Sequence, residues 1–360
     1  MKVLVVNAGS SSLKLARLDD AGAVSAATTV EAWQGEGHLE PLAEFLDRCG
    51  PVDAVGHRIV HGGPRYPGPA RLDDDVIGYL SSISHLAPLH NPRALAGVRS
   101  VRDLLPRVPA VACFDTTFHA TLPPAARTYA VPREWNERWD LRRYGFHGLS
   151  HAHAVRRGAE LVGRAAEDLR IVSCHLGAGA SLAAVRDGIS VDTTMGFTPL
   201  EGIVMATRSG SVDPGLVLWL VRQGIAPDDV HDALERRSGL LGLAGTSDMR
   251  ELLERDDPDA RLAVGVYLHR LAAGVAAMAA AMAGIDALAF TGGVGEHAAA
   301  VRGGAAERLA FLGVALDADA NAAAAGDADV SAHGAPVRSC VVAAREDLEM
   351  ARQARAVLGA

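Results

Sequence analysis

The chain has 360 residues, 49 % hydrophobic and 22 % charged, with a formal charge of −8 at pH 7. That length exceeds one ordinary core and implies two domains. The mildly acidic balance disfavours a nucleic-acid partner, which would need a basic face. Cys49, Cys113, Cys174 and Cys340 lie far apart with no CxxC pair, so a reducing compartment without structural zinc is expected.

The amino end, MKVLVVNAG, carries too few apolar residues for a signal peptide. The uncharged run Leu271 to Ile285 is shorter than a membrane span and suits a buried helix. A soluble, cytoplasmic protein with no membrane partner is therefore expected.

Short apolar runs alternate with helical patterns from end to end, the signature of an α/β fold. In chain order, strands are predicted at 2–7, 13–18, 53–60, 109–114, 169–175, 181–185, 285–290 and 336–343. Helices are predicted at 92–104, with Asn91 as cap, at 151–163 after Ser150 and at 248–255 after Ser247. Two more are predicted at 258–283, opening on Pro258, and at 346–358. Asp73 to Asp75 reads as a solvated turn, and 317–331 as a surface loop or loosely packed helix without chemistry.

An internal repeat is the informative feature. Residues 3–20, VLVVNAGSSSLKLARLDD, and 171–188, IVSCHLGAGASLAAVRDG, share one order. Each has an apolar strand, a polar residue (Asn7 or His175), a Gly-containing turn, a Ser, a second strand and a charged turn. With one extra residue in the second turn, Ser12 pairs with Ser181 and Arg17 with Arg186. Two such copies suggest duplicated domains whose hairpin tips face a shared cleft. Gly and Ser tips suit phosphate, because glycine permits close backbone approach and successive N–H groups form an anion concavity. They also suit ordinary hairpins. A third Gly-rich stretch, FTGGVGEH at 290–297, follows an apolar strand. Only two of the 35 basic residues are Lys, and one of them, Lys14, lies beside the first turn.

This strand–turn–strand duplication resembles the actin, hexokinase and heat-shock-chaperone ATPase superfamily, with its ribonuclease H-like domains and interdomain cleft. Longer motifs narrow the resemblance to the acetokinase family. They include VNAGSSSLK (6–14), GHRIVHGG (56–63), LAPLHNP (86–92), FDTTFH (114–119), RRYGFHGLSH (142–151) and HLGAGAS (175–181). DTTMGFTPLEG (192–202), TRSG (207–210), SGLLGLAGTSDMR (238–250) and FTGGVGEH complete the set, in family order.

The resemblance implies a kinase that moves the terminal phosphoryl group of ATP onto acetate, with Mg²⁺ (or Mn²⁺) bound. Such a transfer needs little covalent help. The acceptor is already an anionic nucleophile, so the enzyme must offset charge repulsion and align the reactants. The resemblance assigns Arg58 to the acceptor, and His147 and Arg208 to the transferring phosphoryl group. Asp115 would orient the metal, and Asn7 and Glu346 would bind it. Val60, Leu89, Phe146 and Pro199 would line a small apolar acceptor pocket. Nucleotide contacts fall on Ser10, Ser12 and Lys14, on His175, Leu176, Gly177, Ala178 and Gly179, and on Asp248, Met249 and Arg250. Gly293, Val294, Gly295, Glu296 and His297 would meet the adenosine.

The residues taken alone leave alternatives. Any single Arg is most simply a solvated surface residue. His147, His151 and His153 have helical spacing that suits zinc, but no third-ligand pattern accompanies them, and hydrogen-bonded structural histidines are the alternative. The resemblance implies a homodimer, with domains at 1–117 plus 347–360 and at 118–346. Departures from the family pattern are Ala178 and His297, each in place of a usual Asn, Ser211 in place of Asp, and AAREDLEMA around Glu346.

Overall fold

Each of the eight apolar runs that reads as a strand forms one. The computed structural model describes residues 1–9, 12–31, 33 and 39–359. The chain divides into two units, Met1–Ala120 with Arg345–Ala360, and Thr121–Ala344.

The first unit contains β1 (Val3–Ala8), β2 (Ser12–Leu18), β3 (Val24–Glu31), β4 (Ala54–Ile59), β5 (Ala70–Arg71) and β6 (Ala110–Phe114), in the order β3-β2-β1-β4-β6-β5. The second contains β7 (Arg170–Leu176), β8 (Ala180–Arg186), β9 (Ile189–Thr193), β10 (Ala287–Thr291), β11 (Ala328–Asp329) and β12 (Arg338–Val341), in the order β9-β8-β7-β10-β12-β11. In each sheet the first three strands form an antiparallel meander, the next two join in parallel, and the shortest strand closes the edge antiparallel. One topology therefore occurs twice, as the duplicated actin-like α/β reading requires.

The repeat is real, but its register differs from the alignment by residue type. Asn7 faces Lys14 and Ala8 faces Leu13 in the first hairpin. His175 faces Ser181 and Leu176 faces Ala180 in the second. The second turn is thus one residue shorter, not longer, and Ser181 corresponds to Lys14. The ladder shift that follows agrees, falling between Arg17 and Leu18 in one copy and between Ala184 and Val185 in the other. Matching Ser with Ser misled the alignment because strand register follows the alternation of faces rather than residue identity.

Helix starts moved for a related reason. The helix Asn91–Leu104 opens with Asn91 already inside it. The Asn91 amide instead accepts from His61 N and donates to His61 O, at 3.2 and 3.0 Å. The helix predicted after Ser150 begins earlier, at Gly148, and Ser150 is buried within it. Asp248, not Ser247, caps Met249–Glu254. Asp73 likewise caps the helix Asp74–Ser82 through Val76 N, so that stretch is a helix start rather than a solvated turn.

The helix Glu346–Leu358 packs on the first sheet. Gly56 of β4 faces it, with Met350 O 3.5 Å from where a Cβ would lie, an ordinary packing distance. In the second unit, Pro258–Ala281 is long and apolar enough to cross a membrane by length and composition. Here it serves as a core helix, burying Ala263, Tyr267, Leu271, Val275 and Met278. Gly274 on the same helix contacts Leu182 of β8.

The stretch 317–331 does more than its composition suggests. Asp317 caps a short helix, Ala318–Ala323, whose Asn321 meets the buried guanidinium of Arg302. Arg302 Nε donates to Asn321 Oδ1 (2.7 Å) and Nη2 to Asn321 O (2.6 Å). Its Nη1 donates to Gly295 O and Glu296 O at 2.9 and 2.8 Å. Burial pushes this guanidinium below its ordinary pKa, and four oxygens replace the water it has lost. Arg302→Leu would strand those acceptors, at a cost of about 3 kcal/mol of unfolding free energy measured in urea. A loss under about 1 kcal/mol would show that the network carries no stability.

Asp257 caps Pro258–Ala281, accepting from Asp259 N and Ala260 N, both at 3.1 Å. The Arg255 guanidinium, donating through Nε at 2.7 Å, and these backbone bonds hold the Asp257 pKa down to about 2. The native value lies below the unfolded one, near 3.9. The stabilisation is therefore complete above about pH 4 and is lost as pH falls toward 2. Asp257→Asn should lower Tm at pH 7 and converge with the parent near pH 2; a constant gap would contradict the linkage.

Candidate active site

In the first unit, four polar side chains converge from separate segments. Arg58 on β4 makes a bidentate pair with Asp115, just past β6, with Nε to Oδ1 at 2.9 Å and Nη2 to Oδ2 at 2.6 Å. Its Nη1 lies 3.1 Å from Glu346 Oε2, at the start of the last helix, and 3.5 Å from Asn7 Oδ1 near the end of β1. Burial works against the charge of Arg58, but the Asp115 and Glu346 carboxylates outweigh it and hold the guanidinium above its ordinary pKa. Asp115 is only 2 % exposed, whereas Arg58 keeps 20 % of its side chain in solvent. The strand ends explain the gathering: β1, β4 and β6 run parallel and present their carboxyl ends together.

Val60 follows Arg58 just beyond β4 and is half-buried, while Leu89 is exposed. Lys14 is exposed on β2 opposite Asn7, and Ser12 is half-buried where that strand begins. Ser10 lies outside the described residues.

In the second unit, the centre is the turn Gly177–Gly179 between β7 and β8. A Cβ on Gly179 would sit 3.3 Å from His147 Cε1 and Nε2 and 3.4 Å from Arg208 Nη1. A side chain there would crowd both the imidazole and the guanidinium, so glycine eases their joint approach to this turn. His147 occupies the left-handed position (φ 57°) immediately before the helix Gly148–Val162. Its ring lies 4.3 Å from that of His175. Arg208 is held from behind, with Nε 3.0 Å from Glu235 Oε2, and Nη1 donates to Pro199 O at 3.4 Å. The carbonyl of Ala178 accepts from Ala206 N, joining the turn to the loop that carries Arg208.

The Gly-rich stretch of residues 290–297 belongs to the same neighbourhood. Gly292 (φ 79°) closes directly on Leu176, since a Cβ there would lie 2.9 Å from Leu176 O. Leu176, Gly295, Phe146 and Met249 are buried, so the side chains of Leu176, Phe146 and Met249 pack rather than face solvent. Ala178, Gly293 and His297 are exposed, and Val294 is half-buried. Glu296 accepts from Ala344 N at 3.0 Å. Asp248 and Arg250 pair at 2.7 Å, which lowers the Asp248 pKa.

The acetokinase family model matches residues 39–352. The chain belongs to the acetokinase family. An acetate kinase from Synechococcus sp. is 47 % identical over 323 residues, covering 89 % of this chain and 78 % of the relative. One from Deinococcus deserti is 43 % identical over 394 residues, covering 100 % and 98 %. The solved acetate kinase of Porphyromonas gingivalis superposes with a TM-score of 0.92 at 34 % identity, covering 99 % of both chains. A propionate kinase from Francisella tularensis subsp. tularensis also reaches 0.92, at 32 % identity and the same coverage.

The arrangement in this acetokinase includes groups that sequence reasoning missed. Ser181 Oγ lies 2.9 Å from His147 Nδ1 and 2.8 Å from His151 Nε2, and His151 Nδ1 lies 2.9 Å from Ser173 Oγ. Ser150 Oγ lies 2.7 Å from His175 Nδ1. His151 is thus a hydrogen-bonded structural residue, and among the described residues no group of three His, Cys, Asp or Glu forms a metal cluster. Glu235, the support of Arg208, had no motif around it to reveal it. A hydroxyl has one proton, so Ser181 can donate to only one of these histidines and at least one of them must donate to it, which couples their tautomers. Ser181→Ala is expected to turn fixed His147 and His151 tautomers into mixtures, read by long-range ¹⁵N–¹H NMR. Unchanged spectra would show that other contacts fix them.

Proposed function

We propose that the protein catalyses reversible transfer of the γ-phosphoryl group of ATP to acetate, giving acetyl phosphate and ADP. The observation that carries this reading is the joint approach of His147 and Arg208 to the Gly179 turn, supported by membership of the acetokinase family. A carboxylate oxygen of acetate forms a bond to the γ-phosphorus as the bond to the β-phosphate oxygen breaks. The acceptor carries no proton at pH 7, so no general base is required.

The work left to the protein is electrostatic. Arg208 Nη1 and the His147 ring are the groups assigned to the equatorial phosphoryl oxygens, with Glu235 fixing the guanidinium. Arg58, whose Nε and Nη2 are held by Asp115, is assigned to the acceptor carboxylate as the cation facing it. Val60, Leu89, Phe146 and Pro199 are the apolar groups proposed around the methyl group.

Asn7 Oδ1 and the carboxylates of Asp115 and Glu346 form an all-oxygen donor set gathered on Arg58. Two carboxylates and an amide suit Mg²⁺, or Mn²⁺, which completes its shell with water and substrate phosphates. When bound, such an ion neutralises charge on the nucleotide phosphates. Asn7 and Glu346 would hold it and Asp115 would orient it, and Arg58 limits the repulsion between the two carboxylates.

A second copy of the chain is the proposed partner. The helix Pro214–Arg222, PGLVLWLVR, has no buried residue, and it exposes Leu216, Leu218 and Trp219. An apolar face of this kind suits a homodimer contact. Use of ATP supports a cytoplasmic location for the proposed activity.

Hydroxylamine trapping of acetyl phosphate tests the reading. Acetate-dependent hydroxamate should form from ATP, and Arg208→Ala should lower its rate by about three orders of magnitude while circular dichroism stays unchanged. Near-normal turnover would remove Arg208 from the mechanism, and ATP hydrolysis independent of acetate would replace the kinase reading with an ATP-driven switch. Propionate should serve less well, its extra methylene changing kcat/KM by about 10- to 200-fold.

A further inference from the structure

The face of β4 opposite Arg58 borders a cavity of about 260 Å³ in the first unit. Successive strand residues point to opposite faces. Gly56 and Arg58 accordingly meet the last helix, and Val55 and His57 line the cavity. Val98, Val101 and Leu105, on and just beyond the helix Asn91–Leu104, form its apolar wall. Arg71, Arg102 and Arg107 also line it. Arg102 pairs with the exposed Asp74 at 2.6 Å, whereas Arg71 and Arg107 are exposed, with no carboxylate partner among the described residues.

His57 is the unusual member. It is only 2 % exposed, and its Nε2 is buried without a hydrogen-bond partner. Burial drives its pKa down to about 3, so the ring is neutral and offers one donor and one acceptor. A buried polar atom left unpaired forfeits the hydrogen bond it would make in water. An occupant that supplied an oxygen would relieve that loss.

We propose that this cavity is a second ligand site, for a small keto- or hydroxycarboxylate with an apolar body of about four to six carbons. Its carboxylate takes the Arg71 and Arg107 guanidinium groups, its body lies on Val98, Val101 and Leu105, and its further oxygen pairs with His57. The volume lies just below that of drug-sized pockets, about 300–1,000 Å³, which limits the occupant to a small metabolite. Because His57 and Arg58 are consecutive on β4, the site touches the strand that presents the proposed acceptor group.

Calorimetric titration of the full chain with 4-methyl-2-oxopentanoate, without nucleotide, reads binding alone and does not depend on the proposed kinase activity. Saturable one-to-one binding with Kd of about 0.1–1 mM is expected. The Arg71→Ala/Arg107→Ala variant alters only exposed side chains and should bind about tenfold more weakly or worse. His57→Phe should also weaken binding, and saturating acetate should leave the parent titration unchanged. Three results would overturn the proposal: no saturable heat up to about 10 mM, equal affinity in the double variant, or displacement of the probe by acetate.

Discussion

The first unit depends on one guanidinium. Arg58 draws together an asparagine from β1, an aspartate beyond β6 and a glutamate from the last helix. Without it, Asp115 and Glu346 would confront each other as like charges close together, one of them almost wholly removed from water. Such an arrangement would drive the strand ends apart. The same cation that makes the carboxylates tolerable is oriented by them, so the donor set and the proposed acceptor group are positioned in one arrangement.

The second unit solves a comparable problem by omitting atoms. Its polar groups meet over backbone because Gly179 has no side chain, and the next Gly-rich stretch closes on β7 because Gly292 has none. The supports behind them, Glu235 for Arg208 and Ser181 for His147, lie one step farther from the turn. Each of the two polar groups at the turn is thus individually braced.

The sequence carried the architecture well because strands buried on both faces are written as continuous apolar runs, and each run at 2–7, 109–114 or 285–290 became a strand close to its expected place. Short or half-exposed strands such as β3, β5 and β11 left no comparable run. Arg58, Asp115, Asn7 and Glu346 were legible through their motifs, and so were His147 and Arg208. Their supports were not: Glu235 sits in an ordinary amphipathic helix, and Ser150 looked like a cap. Arg302 and Asn321 were invisible because a buried Arg among alanines resembles a surface one until the partner carbonyls are known. Register also escaped, since pairing like residues cannot detect a turn shortened by one position.

The last helix has a consequence for biosynthesis. The sheet of the first unit emerges early from the ribosome, but the Met350 carbonyl that packs against Gly56, the Glu346 carboxylate beside Arg58 and the Arg355 side chain that reaches Met1 O are made only after the entire second unit. Until then one face of β4 lacks its cover and Arg58 lacks one of its two carboxylate partners. The first unit therefore cannot complete its packing until its last helix is made.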